Sequence, residues 1–547
     1  MAQLKHKPLR AHIHHTLFGV LATALVACGG GNTAPETAPP DVDVSLVNPV
    51  PASNGLPDNW RDGVFMEIFV RAYQDSNGDG IGDFKGLTSR LDYLKALGIS
   101  GIWLMPIHPS QDKDHGYAVT DYRSVAPEYG TTQDFKDFLQ AAHARGIGVI
   151  TDYVINHSAG EHPAFLQSKS ASGNGFREWY LWRATMPAGW SIYGSNPWHY
   201  HASGYYFGGF WSQMPDFDLR NASVVNWHHN NMRHWLNMGV DGFRFDAVGN
   251  LVENGPFAWE HQTENHAVMK GVQTLVHQYP QRFMVCEAPS LPQRYAQPDS
   301  CGSSFAFGYQ YSLAAAVKGS ASDVEKIATY WLTAPQGMAG FASNHDGFAG
   351  DRLADQFGGD LTRMKLAAAT YLLQTPRPFI YYGEEVGMSG AQGLTGDPKL
   401  RTPMSWTGNR NHAGFSTTTP FRVLASNSTT NNVEAQQNDV NSLLNFYRAI
   451  IGLRNSSAVL QTGVYKKAVF NGSKMAFQRE LNGQSMVVGF NYGSTAGQLL
   501  MQEQAPNARF EVLWPVGSPA ANIQSSSDGT LTLDLPAQGV LVLKQVP

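Results

Sequence analysis

The sequence predicts a (β/α)8 TIM barrel with an inserted domain after strand three and a C-terminal antiparallel β-sandwich domain. Three observations predict it. From residue 64 onward, short apolar runs alternate with amphipathic helical stretches, which is the rhythm of a parallel sheet. A length of 547 residues suits one large barrel with smaller additions. No glycine-rich phosphate loop follows the first strand, as a doubly wound sheet would want.

The elements follow in order. Strands are expected at 64–70, 101–105, 148–154, 240–245, 283–286, 338–342 and 378–382, with helices at 87–97 and 132–145 among them. This rhythm, sustained over about four hundred residues, fits an eight-unit barrel with insertions, whose catalytic residues belong at the strand C-termini. Residues 158–215 interrupt the rhythm. They are aromatic and glycine-rich, with Trp179, Trp182, Trp190, Trp198 and Trp211, and are expected to wall one side of a cleft as an inserted domain. Most of these tryptophans are expected in its own small core. After a helix near 440–453 the pattern turns to alternating strands. The expected division is therefore a barrel at 58–456 and a β domain at 457–547.

The N-terminus reads as an export signal. Lys5, Lys7 and Arg10 precede an apolar run over 17–27 that is too short for an ordinary membrane span. The run stops at Cys28. This resembles the bacterial lipoprotein signal, which implies that Cys28 carries the lipid and that 1–28 is the signal segment. The expected location is then the cell envelope, with the membrane reached only through the anchor. Residues 29–57, rich in Pro, Ala, Thr, Gly and Asn, read as a flexible tether. Cys286 and Cys301 remain, and both a disulfide and two free thiols stay open.

A net charge of −5 argues against nucleic acid as a partner. Only 15% of residues are charged while 12% are aromatic, a balance that favours a neutral, hydroxyl-rich ligand stacking on rings.

The strand ends carry the chemistry. Strand three runs into Asp152-Tyr153-Val154-Ile155-Asn156-His157, strand four into Arg244-Phe245-Asp246, strand five into Glu287, and strand seven into Ser343-Asn344-His345-Asp346. Residues two apart on a strand share a side, so Arg244 and Asp246 face one pocket. A guanidinium there holds the carboxylate ionised, as a nucleophile requires. A structural Arg–Asp pair closing the barrel rim is equally compatible with that stretch alone.

Taken together, the four stretches resemble the signature regions of the α-amylase family of glycoside hydrolases, over the chain from about residue 58 onward. The resemblance implies Asp246 as nucleophile, Glu287 as general acid/base and Asp346 as the third carboxylate orienting sugar hydroxyls. It also implies Arg244 positioning Asp246, His157 and His345 bonding the sugar, and Tyr117 stacking beneath it. The loop Asp75-Ser76-Asn77-Gly78-Asp79-Gly80-Ile81-Gly82-Asp83 has alternating oxygen donors suited to Ca²⁺. It is similar to the calcium loop of oligo-1,6-glucosidase-like members, which implies Asp75, Asn77, Asp79, the Ile81 carbonyl and Asp83 as ligands. The family's more widespread calcium site is not expected: Asn156 matches one of its ligands, but Asn250 stands where its histidine would be, and Gly249 replaces a neighbouring lysine that grips polymer in many members.

Met214-Pro215-Asp216-Phe217-Asp218-Leu219 resembles members intermediate between oligo-1,6-glucosidases and neopullulanases. Arg401-Thr402-Pro403-Met404-Ser405-Trp406 is similar to the oligoglucosidase side. The implied activity is retaining endo-hydrolysis of α-1,4 bonds in starch, glycogen or maltodextrins, by a monomer. An exo-acting α-glucosidase, oligo-1,6-glucosidase or transglycosylase uses the same carboxylates and stays open. A non-catalytic sugar-binding barrel is the remaining alternative, though such relatives typically lose one of the three carboxylates.

Overall fold

The computed structural model describes residues 41–170, 173–515 and 523–546. The expected signal segment and Cys28 lie outside the described residues. Eight parallel strands close a barrel: Val64–Ile68, Ile99–Leu104, Gly148–Tyr153, Gly242–Phe245, Phe283–Cys286, Ser304–Phe305, Met338–Phe341 and Arg377–Tyr381. The first strand pairs with the eighth (Phe65 beside Phe379) and closes the ring.

The barrel lumen is filled with rings. Phe65, Trp103, Phe283, Phe305, Phe341 and Phe379 pack there with Ile150 and Val285. Phe65 stacks on Phe379 at 4.6 Å. Each such burial is worth about 1.5–3 kcal/mol relative to exposure, so the lumen is a core and not a channel. A second, larger core lies between the strands and the surrounding helices. Gly242 opens strand four with φ +143°, and a Cβ there would stand 1.6 Å from the Phe283 carbonyl oxygen. Only glycine lets strands four and five approach this closely.

Local signals place several helices. Thr131 and Asp134 form a reciprocal capping box at the start of the helix Thr132–His143. The helix expected at 87–97 is two, Phe84–Ser89 and Leu91–Leu97, parted at Arg90. The first strand ends at Ile68, and Val70–Tyr73 is a helical turn. Strand six, for which the sequence offered no separate segment, has only two residues.

The stretch 41–57, expected to be a free tether, is instead a strap along the barrel wall. Arg123 pairs with Asp43 at 2.8 Å, Val47 N–H donates to Asn230, and Val50 N–H donates to Asn237. Leu56 then enters the lumen core beside Trp60. Lacking secondary structure, the strap borrows its partners from polar groups on the helix Ala222–Met238, a pairing the local composition does not reveal.

The insertion leaves after strand three and returns where His157 pairs with Asp216. It holds the helix Pro163–Lys169 and a three-stranded antiparallel sheet. Trp198 and Phe207 form its small core with Trp190 against them, while Trp211 is exposed. The C-terminal part is a six-stranded antiparallel sheet facing a two-stranded one, with Leu499, Met501, Leu531, Leu533 and Leu543 between them.

Cys286 and Cys301 are bonded to each other. Of the two alternatives left open by the sequence, the disulfide is the one formed. Their Cα atoms lie 6.3 Å apart, within bonding reach.

Candidate active site

The C-terminal ends of strands three, four, five and seven bring Asp152, Asp246, Glu287 and Asp346 together around one buried guanidinium. Arg244 Nη1 donates to Asp246 Oδ1 at 2.8 Å and to both Asp152 oxygens at 2.9 Å, while Nη2 donates to Glu287 Oε2 at 2.7 Å. Asp246 and Glu287 are thus bridged through the two terminal nitrogens of one guanidinium. Ala247, just after Asp246, sits at φ 47°. That strained turn aims its N–H at Glu287 Oε2, 3.1 Å away.

Burial pushes every carboxyl here upward. Glu287 rises to about 7, first from burial and then from repulsion by Asp246, with Arg244 opposing. Asp246 rises to about 6, again from burial, with Arg244 pulling it down. The pair is thus split, with Glu287 the better proton holder. Asp346 rises to about 7 through burial, opposed by Arg401.

The histidines divide. His157 is buried, and burial lowers it to about 4, so it is neutral. Its Nε2 has no partner in the protein and the residue lines the cavity. His345 contacts Glu67 through Nδ1 at 2.5 Å and Tyr117 Oη through Nε2 at 2.7 Å. Burial drives His345 down and Glu67 up, which favours the neutral form of each. His345, expected as a direct sugar contact, has both nitrogens engaged by protein and braces Tyr117 and Asp346 from behind. Tyr117 lines the cavity and donates to Asp152 at 3.0 Å.

Three residues outside the expected site hold it in place: Glu67, Asp152 and Arg401. Arg401 Nη2 reaches Asp346 at 3.0 Å and Asp397 at 3.2 Å. Asp152 was visible as a strand-end acid, and Arg401 opens the Arg401-Thr402-Pro403 stretch, but their partners come from distant strands. The cavity, about 560 Å³, is walled on the insertion side by Tyr193 and Phe210. These rings stack at 6.0 Å, and Tyr193 meets Trp259 at 5.4 Å. Their only signal in the sequence was aromatic residues in a glycine-rich insertion.

The loop after strand one curls on itself. Asp75 accepts N–H groups from Asn77, Gly78 and Gly80, Asp79 accepts from Ile81, and Asp83 accepts from Ser76. No lysine, arginine or histidine pairs with Asp75, Asp79 or Asp83 among the described residues. Among the described residues no cluster of three or more His, Cys, Asp and Glu side chains is disposed as a metal site. A cation here would therefore draw on the amide and main-chain oxygens as well, a donor set that fits Ca²⁺. At the other calcium position, the Asn156 amide donates to Asp216 at 3.0 Å.

A family profile described as "Alpha amylase, catalytic domain" matches residues 67–463. A trehalose synthase/amylase of Mycolicibacterium smegmatis is 33% identical over 485 residues, covering 78% of this chain and 81% of its own. An oligo-1,6-glucosidase of Parageobacillus thermoglucosidasius is 28% identical over 513 residues, covering 79% and 90%. The crystal structure of the α-amylase from H. orenii superposes with a TM-score of 0.77 at 31% identity, covering 89% of this chain and 100% of that one. With the closed barrel and its strand-end carboxyls, these matches establish that the chain belongs to the α-amylase family of glycoside hydrolases.

Proposed function

We propose that the chain is a retaining, endo-acting α-1,4-glucan hydrolase that cleaves starch, glycogen or maltodextrins. The observation that carries the retaining chemistry is the single Arg244 guanidinium bridging Asp246 and Glu287. Retaining glycosidases need their two carboxyls roughly 5–5.5 Å apart, and inverting ones need room for a water between them. Two carboxyls bridged by one guanidinium favour the shorter spacing.

In this reading Asp246 attacks the anomeric carbon while Glu287 gives its proton to the leaving oxygen. Glu287, then ionised, takes a proton from the water that releases the sugar from Asp246. Asp346, held by Arg401, orients the sugar hydroxyls. His157 Nε2 offers a hydrogen bond, and Tyr117 supplies a ring face. Calcium held by Asp75, Asn77, Asp79, the Ile81 carbonyl and Asp83 would tie down the loop after strand one. The chain would be carried on the bacterial envelope by a lipid on Cys28, and a Cys28→Ser variant that still fractionates with membranes would end that part of the reading.

A second reading, exo action, is favoured by one feature. Beside Asp346 the wall is closed by the Arg401–Asp397 pair, and Arg422 binds both oxygens of Asp114 at 2.6 and 2.7 Å next to His115. A wall there would stop a chain from running through. Product analysis on a maltooligosaccharide blocked at its non-reducing end decides between them. Internal cleavage supports the endo reading; survival of the blocked substrate while the unblocked one releases glucose overturns it in favour of exo action.

A further inference from the structure

On the barrel face opposite the carboxyls, a cavity of about 400 Å³ lies between the strand N-termini and the C-terminal domain. Arg61, Arg282 and Arg377 reach it from before strands one and five and from the start of strand eight, and Arg479 reaches it from the C-terminal sheet. Asp62 is the one carboxylate among its lining residues. It is held by Arg377 at 3.2 Å. The other arginines turn mainly to carbonyl oxygens: Arg61 to that of Arg282, Arg282 to that of Pro280, Arg479 to that of Gly463. Arg282 also lies 3.9 Å from Asp241, which His143 already engages at 2.7 Å.

Three buried polar atoms of these lining residues have no partner: Arg282 Nε, Arg479 Nε and Ser303 Oγ. Their residues are only 3%, 2% and 5% exposed. Burying guanidiniums without counter-charge is costly. That cost is visible in Arg479, which burial lowers to about 10, and in Arg377, lowered by burial despite Asp62. An anion entering the cavity would supply the missing charge.

We infer that this cavity is a binding site for a phosphate group, either inorganic phosphate or the phosphate of a small sugar phosphate. Guanidinium forks match tetrahedral oxyanions in geometry, and the volume exceeds what one phosphate fills, leaving room for a sugar. Because the lining comes from both the barrel floor and the C-terminal sheet, the ligand clamps the two together. It would bind the folded chain alone and raise its melting temperature.

The test is thermal unfolding and calorimetric titration of the full chain with inorganic phosphate and with glucose 1-phosphate, at constant ionic strength set with chloride. The expected result is a saturable rise in Tm that chloride does not give. Affinity should weaken about tenfold or more in Arg282→Gln and in the milder Ser303→Ala, with hydrolysis in phosphate-free buffer unchanged in Ser303→Ala. Tighter binding of glucose 1-phosphate would identify the sugar phosphate as occupant, and equal binding the free ion. No saturable shift, a shift matched by chloride, or undiminished affinity in both folded variants would overturn the assignment.

Discussion

Asp246 and Glu287 are held by adjacent nitrogens of one guanidinium, at 2.8 and 2.7 Å from Arg244. The cation therefore opposes protonation of both, and what separates them is the remaining environment. In Arg244→Gln both carboxyls should bind protons more tightly, so residual activity should move to higher pH. kcat/KM should fall at least ~10²-fold, and urea unfolding should show a loss of about 3–5 kcal/mol, as for other broken buried ion pairs. A wild-type pH profile in this variant would contradict the arrangement.

The Glu287 proton sets the alkaline limb. kcat/KM should decline above about pH 7 as Glu287 ionises, and decline on the acid side as Asp246 is protonated near about 6. Glu287→Gln should remove the alkaline limb and lower kcat/KM by ~10²–10⁴. Substrates with activated leaving groups, which need little protonation, should suffer least. Initial rates on both substrate types, from about pH 4 to about pH 9 so that both limbs are covered, check this.

Glu385 lies fully buried, bonded by Tyr93 Oη at 2.8 Å, and burial pushes it to about 7. Its folded value exceeds the ordinary 4.5. The stability it contributes is therefore present below about 4.5 and lost as pH rises through about 7. Glu385→Gln should flatten this slope and stabilise the protein above pH 7 by up to about 3 kcal/mol, since each tenfold change in proton affinity is worth about 1.4 kcal/mol. Chemical denaturation at pH 5 and pH 8 reads the difference.

The Cys286–Cys301 disulfide closes a loop with a sequence separation of 15 that contains Glu287. Replacing both cysteines by alanine should cost about 3 kcal/mol by loop entropy. Reductant should lower the wild-type Tm and leave the variant unmoved. Equal stability of the two would show that packing alone holds the loop.

Chelation tests the loop 75–83. EDTA should lower Tm, and Asp75→Ala should abolish stoichiometric calcium in metal analysis while leaving the barrel folded. The Asp75 carboxylate already accepts N–H groups from Asn77, Gly78 and Gly80, so removing it should unwind the loop locally.

The barrel and its three principal carboxyls were legible in the sequence because they depend on local order. An apolar run followed by a helix makes a parallel strand, and position at the run's end places Asp246, Glu287 and Asp346 on one face. The antiparallel C-terminal domain was legible for the same reason, through its alternation. Strand six was not, since Ser304–Phe305 is too short to show a period and is held by its neighbours. Tertiary structure alone decided whether Cys286 reached Cys301, whether residues 41–57 docked, and which group His345 meets through Nδ1. The last depends on which distant strands closure of the barrel brings together: Glu67 and His345 are 278 residues apart yet 2.5 Å in contact. Hydrophobic periodicity encodes which side a residue faces; the partner it meets is set by packing across the closed ring.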